Sequence, residues 1–338
     1  MSTTSTLPTT TGGSDGPSIG GQGLGCMGIS EFYGRSDPAE ARATLEHALE
    51  LGVTLFDTAD AYGCGHNEEF LSGFVGAHRD ELVIATKFGL VRKADDPVYR
   101  GIDNSPGYLR AAVEASLRRL DVEVIDLYYL HRRDPAVPIE DTVGAMAELV
   151  AAGKVRALGL SEVTGDELRA AHAVHPIAAL QSEWSLFSRD VERTAVPAAA
   201  ELGVTFVPYS PLGRGFLTGA FRTANELGDE DFRRRQPRFT GANADHNAEL
   251  LAPLAAIAEA HGASRAQVAL AWVHARATVH ELAVVPIPGT RKRTRLAENV
   301  AAATLRLSQD ELATLEPIAA QVAGTRYPDM SFTSVGRE

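Results

Sequence analysis

The sequence predicts an α/β fold, a (β/α)8 TIM barrel with long mouth loops and a C-terminal helix and tail. Three observations carry that prediction. Short apolar runs recur: "GVTLFDT", "ELVIATK", "IDLYYLH", "VRALGLS", "IAALQSE", "GVTFVPYS" and "LAVVPIP". Each is near-continuous and rich in β-branched residues, as in a parallel sheet covered on both faces. A longer amphipathic stretch follows each run. With a first strand around "QGLGCMG" this makes eight strand–helix units in about 300 residues, undivided by any Pro/Gly linker or shift of composition.

The elements follow in order. Residues 1–17, "MSTTSTLPTTTGGSDGP", have neither a basic start nor an apolar core. They are no signal peptide and read as a flexible tail before one barrel domain over 18–338. "DPAEARATLEHALELG" starts a helix with Asp37 as N-cap, Pro38 at the first position and Glu40 closing a capping box; it ends at Gly52. "SPGYLRAAVEASLRRL" starts with Ser105 and Pro106 and carries an apolar stripe of Leu109, Val113, Leu117 and Leu120. "PIEDTVGAMAELVAAGK" and "AELLAPLAAIAEAHG" keep the same period, and Ser308 with Glu311 opens a last capping-box helix. Residues 212–245 and the segment after Gly324 are longer than connections in such a fold need, which marks them as mouth loops.

Composition narrows the function. Of 338 residues, 44% are hydrophobic and 22% charged, with a net charge of −12. That balance argues against a nucleic-acid or anionic-membrane partner, since both need a basic face. No apolar stretch approaches the roughly 20 residues of a membrane span. Cys26 and Cys64 are too few for a disulfide framework or a zinc site. Reduced thiols and a soluble, cytoplasmic protein without a metal are expected.

"GLGCMG" at 23–28 matches the GxGxxG dinucleotide pattern, but that fingerprint must follow a strand and open directly into a helix. Here "SDGPSIGGQ" precedes it and the loop "ISEFYGRSDP" follows, so a Rossmann fold is not expected. The glycines instead let the first strand pass close to a ligand.

Catalytic groups of a barrel come from the C-terminal ends of several strands. Strand two ends in Asp57, with Tyr62 in the loop beyond; strand three ends in Lys87, and strand four in His131. A lone Lys is usually solvated and a lone His usually structural, but four such groups around one mouth form a proton-delivery set. A buried Lys87 needs a carboxylate such as Asp57 to stay charged. An ammonium beside Tyr62 is expected to lower its phenol from about 10. His131 is placed to hydrogen-bond a substrate carbonyl.

The motifs "GLGCMGISEFYG", "FDTADAYGCGHNEEFL", "IATKFG", "YYLHRRDPAVPIEDTVGAMAELVAAGKVRALGLSE", "PYSPLGRGFLTG" and "IPGTRKRTRLAENV" resemble the aldo-keto reductase family, from about residue 19 to the end. The branch resembled also includes the potassium-channel β-subunits. The resemblance implies a barrel that binds NADPH across its mouth and passes a hydride to an aldehyde or ketone, a small-molecule carbonyl substrate. It implies Asp57, Tyr62, Lys87 and His131 as the catalytic tetrad, with Tyr62 the general acid. Ser161 and Gln181 would hold the carboxamide and Tyr209 would stack on the nicotinamide. Ser210, Leu212, Gly213, Arg214 and Gly215 would line the pyrophosphate, with Met27 and Gly28 near the ribose and nicotinamide. At the adenine end, Ile287, Gly289, Thr290 and Arg291 lead into a helix N-terminus, which attracts phosphate. The basic cluster Arg291, Lys292, Arg293 and Arg295 suits a 2′-phosphate and so NADP; Glu298 and Asn299 match the family's adenine contacts.

Some positions depart from the family. Cys64 stands where a small residue or Pro is usual. "TTTGGSDGPSIGG" lacks the apolar alternation of the hairpin that plugs the barrel bottom. Phe32, Tyr33, Tyr99, Arg132, Trp184 and the tail segment from Arg326 to Phe332 are the residues expected to shape the substrate pocket. Arg132 is placed to recognise an acid or a hydroxyl-rich sugar, or else to pair with Asp134. Two functions stay open at this level: an NADPH-dependent carbonyl reductase, and a cofactor-binding regulatory module like the channel subunits. The sequence leaves the oligomeric state open between a monomer and a ring.

Overall fold

A computed structural model describes residues 7, 9–11 and 17–338. Seven parallel strands stand side by side in chain order: β1 (Leu24–Gly25), β2 (Leu55–Asp57), β3 (Val83–Phe88), β4 (Ile125–Leu130), β5 (Val155–Ser161), β6 (Ile177–Glu183) and β7 (Thr205–Tyr209). Sequential order with a helix after nearly every strand is that of a (β/α)8 barrel; a doubly wound sheet would reverse its order midway. The eighth expected run, "LAVVPIP", forms only an isolated parallel bridge, Phe206 to Val284. Pro286 and Pro288 each lack an N–H, which removes ladder donors from alternate positions. The ring still closes. Phe206 N donates to Ala283 O at 2.8 Å, Ile287 N to Pro208 O at 3.0 Å, and Gly23 N to Pro286 O at 3.0 Å.

The helices form where their start signals stand. Ser105 caps Pro106–Leu120 by accepting from Tyr108 N, and Ser308 and Glu311 form a complete capping box. The box expected at Asp37 does not close: Asp37 accepts from Ala39 N, while Glu40 reaches across to Arg293 at 3.0 Å. An arginine is a better partner for a carboxylate than a backbone amide already near Asp37.

Near the N-terminus, Thr9–Thr11 pairs antiparallel with Ser18–Gly20. Residues 9–11 are therefore in a strand, where the sequence leads one to expect a loose tail. Three consecutive threonines suit a strand, and Ile19, 2% exposed, joins Leu55, Val83 and Leu127 inside the barrel. The rest of the expected tail, 1–6, 8 and 12–16, lies outside the described residues. The stretch 212–245 is a series of short 3-10 turns leading into the helix Gly241–Glu249, held together by Phe216, Phe221 and Phe239. No helix among the described residues is long and apolar enough to cross a membrane.

Tyr129 fills the barrel interior beneath the mouth, against Gly159 on the neighbouring strand. A Cβ at Gly159 would lie 2.4 Å from the Tyr129 ring. Gly159→Ala is therefore expected to overpack the barrel and destabilise it by about 1–3 kcal/mol. An unchanged denaturation midpoint would show that the ring has room to move.

Candidate active site

Lys87 is the centre of the mouth. It sits two residues beyond the Asp57–Ala85 pairing, so strand alternation turns both side chains inward. Its fully buried ammonium donates to Asp57 Oδ1 at 2.5 Å, to the Thr58 carbonyl at 2.8 Å and to the Tyr62 hydroxyl at 3.5 Å. These three bonds use all its protons. Asp57 Oδ2 accepts from Gln181 Nε2 at 2.7 Å, a contact from β6 across the barrel.

Tyr62 opens a turn in which Gly63, Cys64 and Gly65 all have positive φ, of 58°, 53° and 95°. The residue at Cys64 thus stands in a left-handed conformation; its thiol is free and exposed, and that of Cys26 free and buried. The turn brings Tyr62 edge-on to His131, with ring centroids 5.9 Å apart at 85°. Burial holds the His131 imidazole well below its usual value, helped by the cations of Arg132 and Lys87, so the ring is neutral. His131 Nδ1 is buried without a partner among the described residues.

The Tyr62 phenol lies well above its ordinary value. Burial is the main cause and the Asp57 charge adds to it, while Arg132 opposes both. This corrects the expectation that Lys87 brings the phenol down. Burial and Asp57 outweigh an ammonium whose charge Asp57 largely offsets at 2.5 Å.

Next round the mouth, Arg132 donates to Ser161 Oγ at 3.1 Å and lies 5.9 Å from the Tyr209 and Phe332 rings. Ser161 is in register with Gln181, and Tyr209 with Glu183 two residues further along β6, so the three stand near the ends of adjacent strands. Two further acids, to which no sequence motif assigns a role, stand at those ends. Glu162, fully buried at φ 53°, accepts from Tyr209 Oη at 2.7 Å, Arg326 Nη1 at 2.8 Å and Ser334 N at 3.2 Å. Glu183 pairs with Arg214 at 2.9 Å and accepts from Ser188 Oγ at 2.7 Å. They lie one and two residues beyond the polar residues that first close their runs ("GLSE", "LQSE"). Through them the C-terminal segment is bound onto the mouth.

The aldo/keto reductase family model matches residues 23–320. The chain belongs to that family. It is similar to the glycerol dehydrogenase of Gluconobacter oxydans, at 28% identity over 97% of this chain and 99% of that one, with a TM-score of 0.79. A thermostable aldo-keto reductase solved with the inhibitor epalrestat is 29% identical over 92% of this chain and all of that one, at a TM-score of 0.70. An aldo-keto reductase of Bacillus halodurans, 24% identical over 96% of this chain and 100% of that one, shares the fold at a TM-score of 0.73. The chain is thus an oxidoreductase of a carbonyl-reducing family that uses nicotinamide cofactors.

The remaining expected positions of this aldo-keto reductase fall in three places. Ile287 and Gly289 pack against Gly25, where a Cβ would meet Ile287 O at 2.9 Å, and Met27 and Gly28 follow in a short helix. Ser210, Leu212, Gly213, Arg214 and Gly215 form a sharp bend with positive φ at all but Leu212 among these five. The guanidinium of Arg214 already donates to the Arg326 carbonyl and pairs with Glu183, a charge that competes with a pyrophosphate. Arg291 likewise donates to the carbonyls of Gly28, Tyr33 and Gly34, at 3.1, 2.7 and 2.9 Å. Lys292 and Arg295 carry no ion pair among the described residues, and the helix Arg293–Ala301 has no side-chain cap from its N-cap. Thr290 Oγ1 accepts from Lys292 N; Glu298 is half-buried and Asn299 buried on that helix.

The pocket residues divide. Phe32 and Tyr33 pack edge-on against Phe232 of the long loop, at 5.5 and 5.2 Å, on one side of the mouth. Tyr99 stands 37% exposed on the hairpin of Leu90–Lys93 and Asp96–Ile102, against Lys93, and is not brought to the tetrad. Trp184 is a correction. It is fully buried in the outer core against Phe206 and donates to Glu192 at 2.9 Å. Just past the end of β6 it turns outward, away from the inward-facing Gln181.

The Glu162 carboxyl is held down to about 2: burial would raise it, but Arg326, Arg132 and Tyr209 outweigh burial. A depressed carboxyl stabilises above its unfolded value near 4.5 and loses that contribution as pH falls toward 2. Glu162→Ala removes the nearer of two carboxylates from buried Arg326, leaving only Glu183 at 4.0 Å, and is expected to cost about 3 kcal/mol. The check is trypsin cleavage after Arg326 at neutral pH: resistant in the wild type, rapid in the variant. Equal resistance would show that Glu162 does not hold the tail.

Proposed function

We propose that this aldo-keto reductase reduces an aldehyde or ketone with NADPH, using Tyr62 as the general acid. The observation that carries the proposal is the joining of Asp57, Lys87 and Tyr62 into one hydrogen-bonded chain with a neutral His131 beside it. The residues fit the cofactor. Ser161 and Gln181 offer a hydroxyl and an amide to a carboxamide, and Tyr209 offers a ring face. The tight bend at 210–215 and the N-terminus of Arg293–Ala301 are shaped for phosphates. When bound, the nicotinamide supplies the hydride.

The chain's own groups do the rest. Tyr62, kept protonated by its surroundings, gives its proton to the carbonyl oxygen as that oxygen gains charge. Neutral His131 turns a ring N–H toward the carbonyl oxygen and fixes the substrate's orientation. Lys87 holds the Tyr62 oxygen in place and Asp57 keeps Lys87 charged. The unpaired Lys292 and Arg295 make the better readers of a 2′-phosphate, while Arg291 ties the first loop to the adenine edge. The two free thiols suit a reducing compartment, and we place the enzyme in the cytoplasm.

Two measurements test this reading. Tyr62→Phe should lower kcat for NADPH consumption with an activated aromatic aldehyde by at least about a hundredfold while leaving NADPH binding intact. Undiminished turnover would remove Tyr62 from the acid role; a wild type that binds NADPH but reduces no carbonyl of a broad panel would favour a regulatory module. Removing the charge of Lys292 and Arg295 together should weaken NADPH by roughly tenfold, about 1.4 kcal/mol, and NADH far less. Equal losses in fluorescence titrations would mean that neither reads the extra phosphate.

A further inference from the structure

Five arginines are buried among the described residues: Arg132, Arg133, Arg214, Arg276 and Arg326. Four of them have a carboxylate nearby, Arg133 with Glu167 at 3.5 Å, Arg214 with Glu183 at 2.9 Å, Arg276 with Glu316 at 2.9 Å and Arg326 with Glu162 at 2.8 Å. Arg132, 7% exposed, has no ion pair among the described residues. Both its hydrogen bonds leave from Nη1 and end on neutral oxygens, the His131 carbonyl at 2.7 Å and Ser161 Oγ at 3.1 Å. The Nε and Nη2 edge of its fork meets no acceptor among the described residues. Asp134, the acid nearest in sequence, accepts instead from Ala136 N at 2.9 Å. Glu162 attracts Arg132 from farther away, with its oxygens already engaged by Arg326, Tyr209 and Ser334.

A buried guanidinium without a counter-ion is unfavourable, and folded proteins pair such charges. An unpaired one in a site awaits an anion from outside. The planar fork suits a carboxylate. We infer that Arg132 is the receptor for a carboxylate on the substrate, so that the compound reduced is an oxo acid or formyl acid.

Position supports this assignment. Arg132 directly follows His131, and its charge is felt at both His131 and Tyr62, which puts it on the side where the carbonyl reacts. The Tyr209 and Phe332 rings, each 5.9 Å from its guanidinium carbon, give an apolar spacer two walls. The cofactor's phosphates are not its counter-ion, because the bend at 210–215 and the helix Arg293–Ala301 follow β7 and the eighth run, whereas Arg132 and Ser161 end β4 and β5. The inference rests on the reductase reading.

The test compares 4-carboxybenzaldehyde with its neutral methyl ester as substrates, using the full chain with NADPH. We expect the wild type to favour the acid at least tenfold in kcat/KM, mainly through KM. Arg132→Gln should bring that ratio near one, whatever it loses on the ester, and Arg132→Lys should keep part of the preference. Calorimetry with benzoate supplies a readout without turnover: benzoate should bind the wild type and not Arg132→Gln, while NADPH affinity changes less than threefold. An acid-to-ester ratio unmoved by either variant, a wild type preferring the ester, or a loss of NADPH affinity matching the loss of benzoate would overturn the assignment. Benzoate binding through Arg132 in a protein that reduces neither aldehyde would uphold the carboxylate site and sink the reductase reading instead.

Discussion

The buried pair of Asp57 and Lys87 is the interaction on which the rest of the mouth depends. Taking two charges out of water costs several kcal/mol per ion, and only good geometry with further hydrogen bonds offsets it. The barrel supplies those bonds from separated places in the sequence. Thr58 gives a carbonyl to Lys87, Tyr62 gives a hydroxyl oxygen, and Gln181 gives an amide proton to the second oxygen of Asp57. Gln181 is 124 residues from Asp57 and on a strand four places away. Only a sheet curled into a ring lets those ends meet, so the ion pair and the curvature of the sheet support one another. Tyr129, pressed on Gly159 below and lying 5.8 Å from the ammonium, gives this pair an apolar floor.

A second charged layer surrounds the first and is built from the end of the chain. Glu162 and Glu183 bind Arg326 and Arg214, so the C-terminal segment and the long loop after β7 share partners at the strand ends. Backbone strain gathers here too. Seven described non-glycine residues have positive φ; Asp121 and Glu281 end helices, while Phe32, Cys64, Glu162, Ser210 and Arg214 all lie in mouth loops. Such conformations persist only where the surroundings over-determine them. The hydrogen bonds of Glu162 and the ion pair of Arg214 are surroundings of that kind.

What was legible in the sequence was local. A polar residue closing an apolar run is visible without knowing its neighbours, and that rule located Asp57, Lys87 and His131. Glu162 and Glu183 stand one and two residues beyond the polar residues that first close the fifth and sixth runs. Proline spacing would have shown why the eighth run makes only a bridge. What was not legible depends on who meets whom across the ring. Arg214 and Arg291 look like phosphate ligands from their motifs, yet one is held by Glu183 and the other by three carbonyls of the first loop. Trp184 looks like a mouth residue by position and is core by direction. In each case the deciding partner is distant in sequence, and its contribution exists only after folding.

The electrostatics of the acid and of Arg132 bear on how readily Tyr62 gives up its proton. On the proposed reading, burial and Asp57 keep Tyr62 protonated, so its proton leaves only as the carbonyl oxygen becomes a stronger base. Arg132 works the other way, as the charge that draws the phenol down. An anion seated on Arg132 would offset that pull and hold the proton more firmly on Tyr62. On the proposed reading, a carboxylate on Arg132 would anchor the substrate at some cost to the acidity of Tyr62, so the two effects oppose one another. On that reading Arg132 trades part of its pull on the Tyr62 proton for the binding of the substrate.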